Sequence, residues 1–108
     1  MPGDLVYSVH RGAILAVPIA RTGRASVAHH EVVRAGLANG RAIDISPGHP
    51  TPDGRSFADL RSGDWLGTKR VESVRRVPYA RPYTVDILPD SDTRTYFASG
   101  ALVASTLR

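Results

Sequence analysis

The fold is decided by residues 46–66, which read SPGHPTPDGRSFADLRSGDWL. Prolines at 47, 50 and 52 exclude a regular helix or a central strand at the start of this stretch, because proline cannot donate a backbone hydrogen bond. Its Pro-Gly, Asp-Gly and Ser-Gly pairs mark turns. Gly63 and Asp64 then lead into Trp65, which we expect to anchor the core. The position of the lone His49 inside a proline-rich turn needs an explanation.

The rest of the chain repeats this alternation of turns and short apolar segments. The segments have four to six residues, are rich in β-branched side chains and often alternate with polar residues, which is typical of strands. Asn39-Gly40 lies between two of them and predicts a hairpin with a type I′ turn, in which both central residues need positive φ. Only residues 56–60 hint at a helix, of a single turn. The sequence therefore predicts an all-β fold, with strands around residues 5–9, 14–19, 32–37, 42–45, 71–74, 83–88, 95–98 and 101–103.

Length and composition limit the possibilities. A chain of 108 residues is predicted to form one domain, residues 1–108. Without cysteine it has neither a disulfide framework nor a thiolate metal site. No apolar run approaches the roughly 18 residues that cross a bilayer, and the start does not resemble a signal peptide. We therefore expect no membrane contact, and the compartment stays open.

The basic balance does not indicate a nucleic-acid partner. The net charge is +4, but the fourteen basic residues are scattered among ten carboxylates, and of the thirteen arginines only Arg75 and Arg76 are adjacent. Nucleic-acid surfaces cluster such residues and interleave aromatic side chains. His29 and His30 are neighbours, and neighbours on a strand point to opposite faces, so they are not expected to share a metal ion. We predict neither a metal nor a cofactor.

A short internal repeat gives the first functional indication. Gly3-Asp4-Leu5-Val6 is echoed sixty residues later by Gly63-Asp64-Trp65-Leu66, which suggests a duplicated β unit. The second copy is preceded by an arm, residues 51–60, whereas only Met1 and Pro2 precede the first copy. If the copies are equivalent, we expect the chain to begin inside its first repeat, without the first strand.

Five motifs follow one another along the chain, at residues 3–6, 40–50, 53–66, 83–88 and 95–103. In this order they resemble the Hint domain shared by Hedgehog autoprocessing domains, inteins and bacterial intein-like proteins, and the resemblance covers essentially the whole chain. It implies a pseudo-twofold, horseshoe-shaped β domain that attacks the peptide bond at its own N-terminal junction by an N–S or N–O acyl shift.

The resemblance also implies the site. A turn histidine, with serine or threonine three residues earlier, protonates the departing amide nitrogen, and His49 with Ser46 matches that pattern. Asp86 matches an aspartate that takes or relays the proton of the nucleophile. The alternatives are that His49 merely fills its turn and that Asp86 faces solvent. An aspartate in a strand must either face solvent or find hydrogen-bonding partners, since an unpaired buried carboxylate costs several kcal/mol.

The chain also departs from the family pattern. The strand that carries the nucleophile is expected to be missing. Inteins end in His-Asn before Ser, Thr or Cys, whereas this chain has Ala104, Ser105 and Thr106. Serine cannot form a succinimide, which excludes C-terminal cleavage by that route. Arg94 occupies a position where many inteins carry a further histidine.

Two functions follow from this pattern. In the first, the chain belongs to an autoprocessing domain, capable at most of one self-cleavage when an upstream segment or flanking domain of its own polypeptide supplies the nucleophile. In the second, a degenerate Hint scaffold serves as a non-catalytic binding or linker module in a larger secreted or surface protein.

Overall fold

A computed structural model describes residues 4–107, and this part of the chain confirms the all-β prediction. One 3₁₀ turn, Phe57–Asp59, lies where the sequence hints at a helical turn. Nine strands make up the rest of the regular structure of residues 4–107: β1 (Leu5–His10), β2 (Ala13–Ser26), β3 (Glu31–Leu37), β4 (Ala42–Ile45), β5 (Trp65–Leu66), β6 (Lys69–Pro78), β7 (Tyr83–Pro89), β8 (Thr95–Ala98) and β9 (Ala101–Ala104).

The strands form three antiparallel groups, β4-β3-β6-β5, β1-β2-β7 and β8-β9. The predicted hairpin between β3 and β4 is present, but its turn is not type I′, because Gly40 has positive φ and Asn39 does not. The Asn39 side chain instead accepts the Arg41 amide at 2.9 Å. Gly40 bonds back to the Leu37 carbonyl at 3.0 Å. The loop is therefore a three-residue turn that ends in a left-handed glycine.

The hydrophobic core lies against the sheet that contains β3 and β6. Phe57 and Leu66 are completely buried in it, together with Val71 and Val103. The prediction that Trp65 anchors the core is wrong, since Trp65 is 59% exposed. Neighbouring strand residues point to opposite faces, and in β5 the face that meets the core belongs to Leu66.

Strand β2 is longer than its apolar segment predicts and changes partner along its length. Its first half pairs with β1; beyond an irregularity between Ile19 and Arg21, its second half pairs with β7. This second half is mostly exposed, so it carries no apolar pattern that marks it as a strand. The pairing sets Gly23 directly opposite Asp86.

The end of the described chain lies between β7 and the turn that contains His49. The Ala104 amide donates to the Pro50 carbonyl at 3.4 Å. The Ser105 hydroxyl donates to the Ile87 carbonyl at 2.6 Å. Residues 104–107 thus connect two parts of the molecule that are distant in sequence.

Two further expectations concern the repeated Gly-Asp elements and contact with a membrane. Asp4 and Asp64 directly precede β1 and β5, but Gly3 lies outside residues 4–107, so the twofold relation of the two Gly-Asp elements stays a prediction. Between residues 4 and 107, no helix is long and apolar enough to cross a membrane.

Candidate functional site

A cavity of about 430 Å³ opens between the β2–β7 ribbon and the end of β4. Ser46, His49 and Asp86, the three site residues predicted from the sequence, all line it. Ser46 and His49 come from the turn after β4, whereas Asp86 comes from β7. The fold therefore brings together residues that are forty positions apart in the chain.

His49 is held from three sides. Its amide donates to the Ser46 carbonyl at 3.0 Å, which closes the turn. The residue is 9% exposed, and its ring packs edge-on against Phe57, with 5.9 Å between ring centroids. Its Nε2 lies 2.5 Å from the Ala104 carbonyl oxygen. A carbonyl only accepts, so Nε2 carries the proton of this hydrogen bond.

The other ring nitrogen of His49, Nδ1, has no such contact among the described residues. Residues 4–107 give Nδ1 no hydrogen-bond partner, and none of their side-chain nitrogens or oxygens is buried without one. Nδ1 is therefore open to solvent, although most of the ring is buried. A histidine fixed in this way can exchange a proton with a group that enters the cavity.

Asp86 has found partners and does not simply face solvent. Tyr96 donates its phenol to Oδ1 at 2.6 Å. Thr106 donates both its amide, at 2.7 Å, and its hydroxyl, at 2.5 Å, to Oδ2. Burial raises the pKa of Asp86, but the hydrogen bonds from Thr106 and Tyr96 and the nearby His49 outweigh it, and the net pKa is lowered.

The pKa of Tyr96, which donates to Asp86, is shifted in the opposite direction. Burial and the adjacent carboxylate both raise the pKa of Tyr96, because the anionic phenolate is penalised by both. The pair at neutral pH is therefore a carboxylate and a neutral phenol. Asp86 can accept a further proton, and Tyr96 holds its own.

Ser46 is half-buried and has a partner that the sequence did not indicate. Its hydroxyl lies 3.0 Å from Nε2 of His30. The expectation that His29 and His30 are strand neighbours is wrong, because both precede β3 and His29 has a φ of +50°. Within residues 4–107, no three histidine, aspartate or glutamate side chains are grouped so that they could hold a metal ion.

Similarity to known proteins is visible in the fold and not in the sequence. No family model matches the chain, and no curated protein matches its sequence. The PabCDC21-1 intein superposes with a TM-score of 0.78 at 17% identity, over 97% of this chain and 72% of the intein. The MchDnaB-1 intein (N145AA) gives 0.74 at 22% identity, over 98% and 85%. The Ssp DnaB Mini-Intein variant M86 gives 0.74 at 13% identity, over 99% and 79%.

The chain has the Hint fold of inteins. At these identities the likeness establishes the fold alone, so the activity has to be argued from the cavity. In this Hint fold, the cavity lies where the turn after β4, β7 and the residues after β9 converge.

Sequence reasoning missed Tyr96 and Thr106, which line this Hint-fold cavity, and His30, which contacts the lining residue Ser46 from outside it. Tyr96 and Thr106 are the donors to Asp86, and His30 is the partner of Ser46. None of them stands at a spacing that a local motif would mark. Arg94, which occupies an expected histidine position, is exposed with a φ of +54° and is not part of the cavity lining.

Proposed function

We propose that the chain is the acid-base part of a self-processing Hint domain, acting on a peptide bond of its own polypeptide. The observation that supports this most directly is the open Nδ1 of His49 in the same cavity as the ionised Asp86. A proton donor and a proton acceptor that reach one cavity are what an acyl shift from nitrogen to sulfur or oxygen requires.

The direction of β1 supports an N-terminal entry of that peptide bond. Antiparallel pairing puts Leu5 beside Pro18 and His10 beside Ala13. Toward its N-terminal end, β1 therefore runs in the direction in which β2 continues to Gly23 and Arg24, which line the cavity. A strand that extended β1 on its N-terminal side and carried cysteine or serine would thus be directed toward His49.

In the proposed step, the sulfur or oxygen of that residue attacks the carbonyl carbon of the residue before it. A C–S or C–O bond forms, the C–N bond breaks, and the products are a thioester or ester and a free amine. Asp86 accepts the proton of the nucleophile, and protonated His49 gives a proton from Nδ1 to the departing nitrogen. Exchange with solvent restores both side chains, and no oxidant or reductant is needed.

The test joins a reporter protein to the chain through an added upstream strand that carries a single cysteine. Dithiothreitol or hydroxylamine should release the reporter at that cysteine, since both cleave thioesters. His49→Ala should slow release by at least about 100-fold, the lower range for general acid-base assistance. Asp86→Ala should slow it comparably or less.

A matched control uses the exposed His29, which lies outside the cavity. His29→Asn tolerates the positive φ and should leave the rate of release unchanged. All variants should keep the circular dichroism of the parent. A folded parent that releases no reporter over days, or release that ignores His49→Ala, overturns the proposal in favour of the non-catalytic binding or linker module.

A further inference from the structure

The partner of Ser46 is the feature that the proposed function leaves unused. Ser46 Oγ lies 3.0 Å from Nε2 of His30, a residue from the segment before β3. Ser46 also lines the cavity beside His49. A hydroxyl has one proton and two lone pairs and rotates freely until a partner fixes it. Whether His30 Nε2 donates or accepts this hydrogen bond therefore decides whether Ser46 presents its proton or its lone pairs to the cavity.

His30 is itself held in place. The Tyr79 amide donates to the His30 carbonyl at 2.9 Å. The Tyr79 ring meets the imidazole edge-on, with 5.9 Å between centroids. The Tyr79 hydroxyl in turn donates to the Tyr83 carbonyl at 2.8 Å, at the start of β7. The imidazole is thus oriented by its own backbone and by a ring that is anchored at its far end.

We propose that His30 is a positioning residue, which donates from Nε2 to Ser46 Oγ and so turns the Ser46 proton toward the cavity. This inference rests on the proposed function. In that reaction, negative charge develops on the carbonyl oxygen under attack, and a fixed O–H donor stabilises it. With the opposite tautomer, the Ser46 proton would be spent on His30, and Ser46 would present only lone pairs.

The first experiment needs no activity. The chain of 108 residues is prepared with ¹⁵N-labelled histidine, and the imidazole nitrogens are assigned by nuclear magnetic resonance. His30 Nε2 should give the signal of a protonated nitrogen, and Ser46→Ala should shift it while the His29 signals stay in place. A signal of an unprotonated Nε2, or no response to Ser46→Ala, overturns the inference.

The second experiment uses the reporter fusion. Ser46→Ala and His30→Phe should each slow thiol-induced release about 100- to 1,000-fold, the range for loss of one donor to a developing oxyanion. Phenylalanine keeps the ring contact with Tyr79 and removes the nitrogen. The double variant should be no slower than the slower single one, because His30 acts only through Ser46.

His30→Gln supplies the rescue, since its side-chain amide can donate to Ser46 Oγ, and it should be at least tenfold faster than His30→Phe. Multiplying effects in the double variant, or equal rates for Gln and Phe at position 30, overturn the positioning role. If the parent fusion releases no reporter, the proposed function fails and the role of His30 in it fails too. The resonance experiment then still decides whether His30 donates to Ser46.

Discussion

The two walls of the cavity are built in different ways. The His49 wall is a turn that rests on the core, with the imidazole against the completely buried Phe57. The Asp86 wall belongs to the β2–β7 ribbon and is held by hydrogen bonds from Tyr96 and Thr106. One wall is thus secured by apolar burial and the other by polar contacts. Substitutions on the first should affect overall stability, and substitutions on the second should affect how stability depends on pH.

The largest loss of stability is expected from a substitution at Phe57, which packs against the His49 ring. Phe57→Ala removes a completely buried ring and should lower the free energy of unfolding by about 3–5 kcal/mol. Urea denaturation followed by circular dichroism measures this. Val85→Ala is the matched change on the ribbon, where Val85 is 61% exposed, and should cost less than about 1 kcal/mol. Similar losses for the two variants would remove the distinction between the walls.

The next largest effect concerns how the free energy of unfolding depends on pH. The folded-state pKa of Asp86 is lowered, so its carboxylate stabilises the fold at neutral pH, and this contribution is lost as the pH falls through that pKa. Asp86→Asn should lower the free energy of unfolding at pH 7 by about 1–2 kcal/mol, since charged hydrogen bonds are lost from a partly solvated site. The difference between the variant and the parent should begin to shrink at pH ~4, the ordinary range of aspartate, and vanish below the lower folded-state pKa of Asp86.

Asp44→Asn is the control for this measurement. Asp44 pairs at 2.8 Å with Arg34 at an exposed position, and this arginine lowers the pKa of Asp44. An exposed pair contributes about 0–1 kcal/mol, so the loss at pH 7 should be smaller than for Asp86→Asn. The reverse order in urea titrations at pH 7 would show that Asp86 does not depend on its hydrogen bonds in the way proposed.

A smaller effect is expected where the ribbon meets the end of the described chain. A Cβ on Gly23 would lie 2.8 Å from a methyl group of Leu107, which has to move. Because that atom ends a flexible side chain, Gly23→Ala should cost less than about 1 kcal/mol while shifting the Leu107 methyl resonances. Gly48→Ala meets no atom within 4 Å and should leave those resonances in place. A loss of several kcal/mol for Gly23→Ala would mean that the ribbon is as tightly packed as the core.

The smallest effect is expected at the Ser105–Thr106 bond. A protein fused after Arg108 should remain attached, because Ser105 has no side-chain amide with which to form a succinimide. Mass spectrometry after days of incubation checks this. Spontaneous release of the fusion after Ser105 would contradict it.

The parts of the fold that were predictable are those with a local signal. Strands β4 and β8 have the predicted bounds, because alternation and flanking turn residues mark both ends. The second half of β2 has no such signal, since a ribbon exposed on both faces selects no apolar pattern. The prediction for Trp65 was wrong for a related reason. Strand alternation puts Trp65 and Leu66 on opposite faces, but it does not say which of the two faces the core.

The site divides in the same manner. Ser46, His49 and Asp86 could be named because they lie in segments that resemble motifs of the Hint domain. Their partners could not, because His30, Tyr96 and Thr106 reach them only through tertiary pairing. The left-handed φ of His29 breaks the strand pattern that the two adjacent histidines suggested.

The hydrogen bond from His49 to the Ala104 carbonyl spans 55 positions of sequence, so it forms only after residue 104 has been synthesised and released. Proteins emerge from the ribosome N-terminal end first. While residues 104–107 are still inside the ribosome, His49 lacks its carbonyl partner and Asp86 lacks Thr106. The cavity described above is therefore complete only after translation has passed residues 104–107, and the proposed acyl shift would have to wait until then.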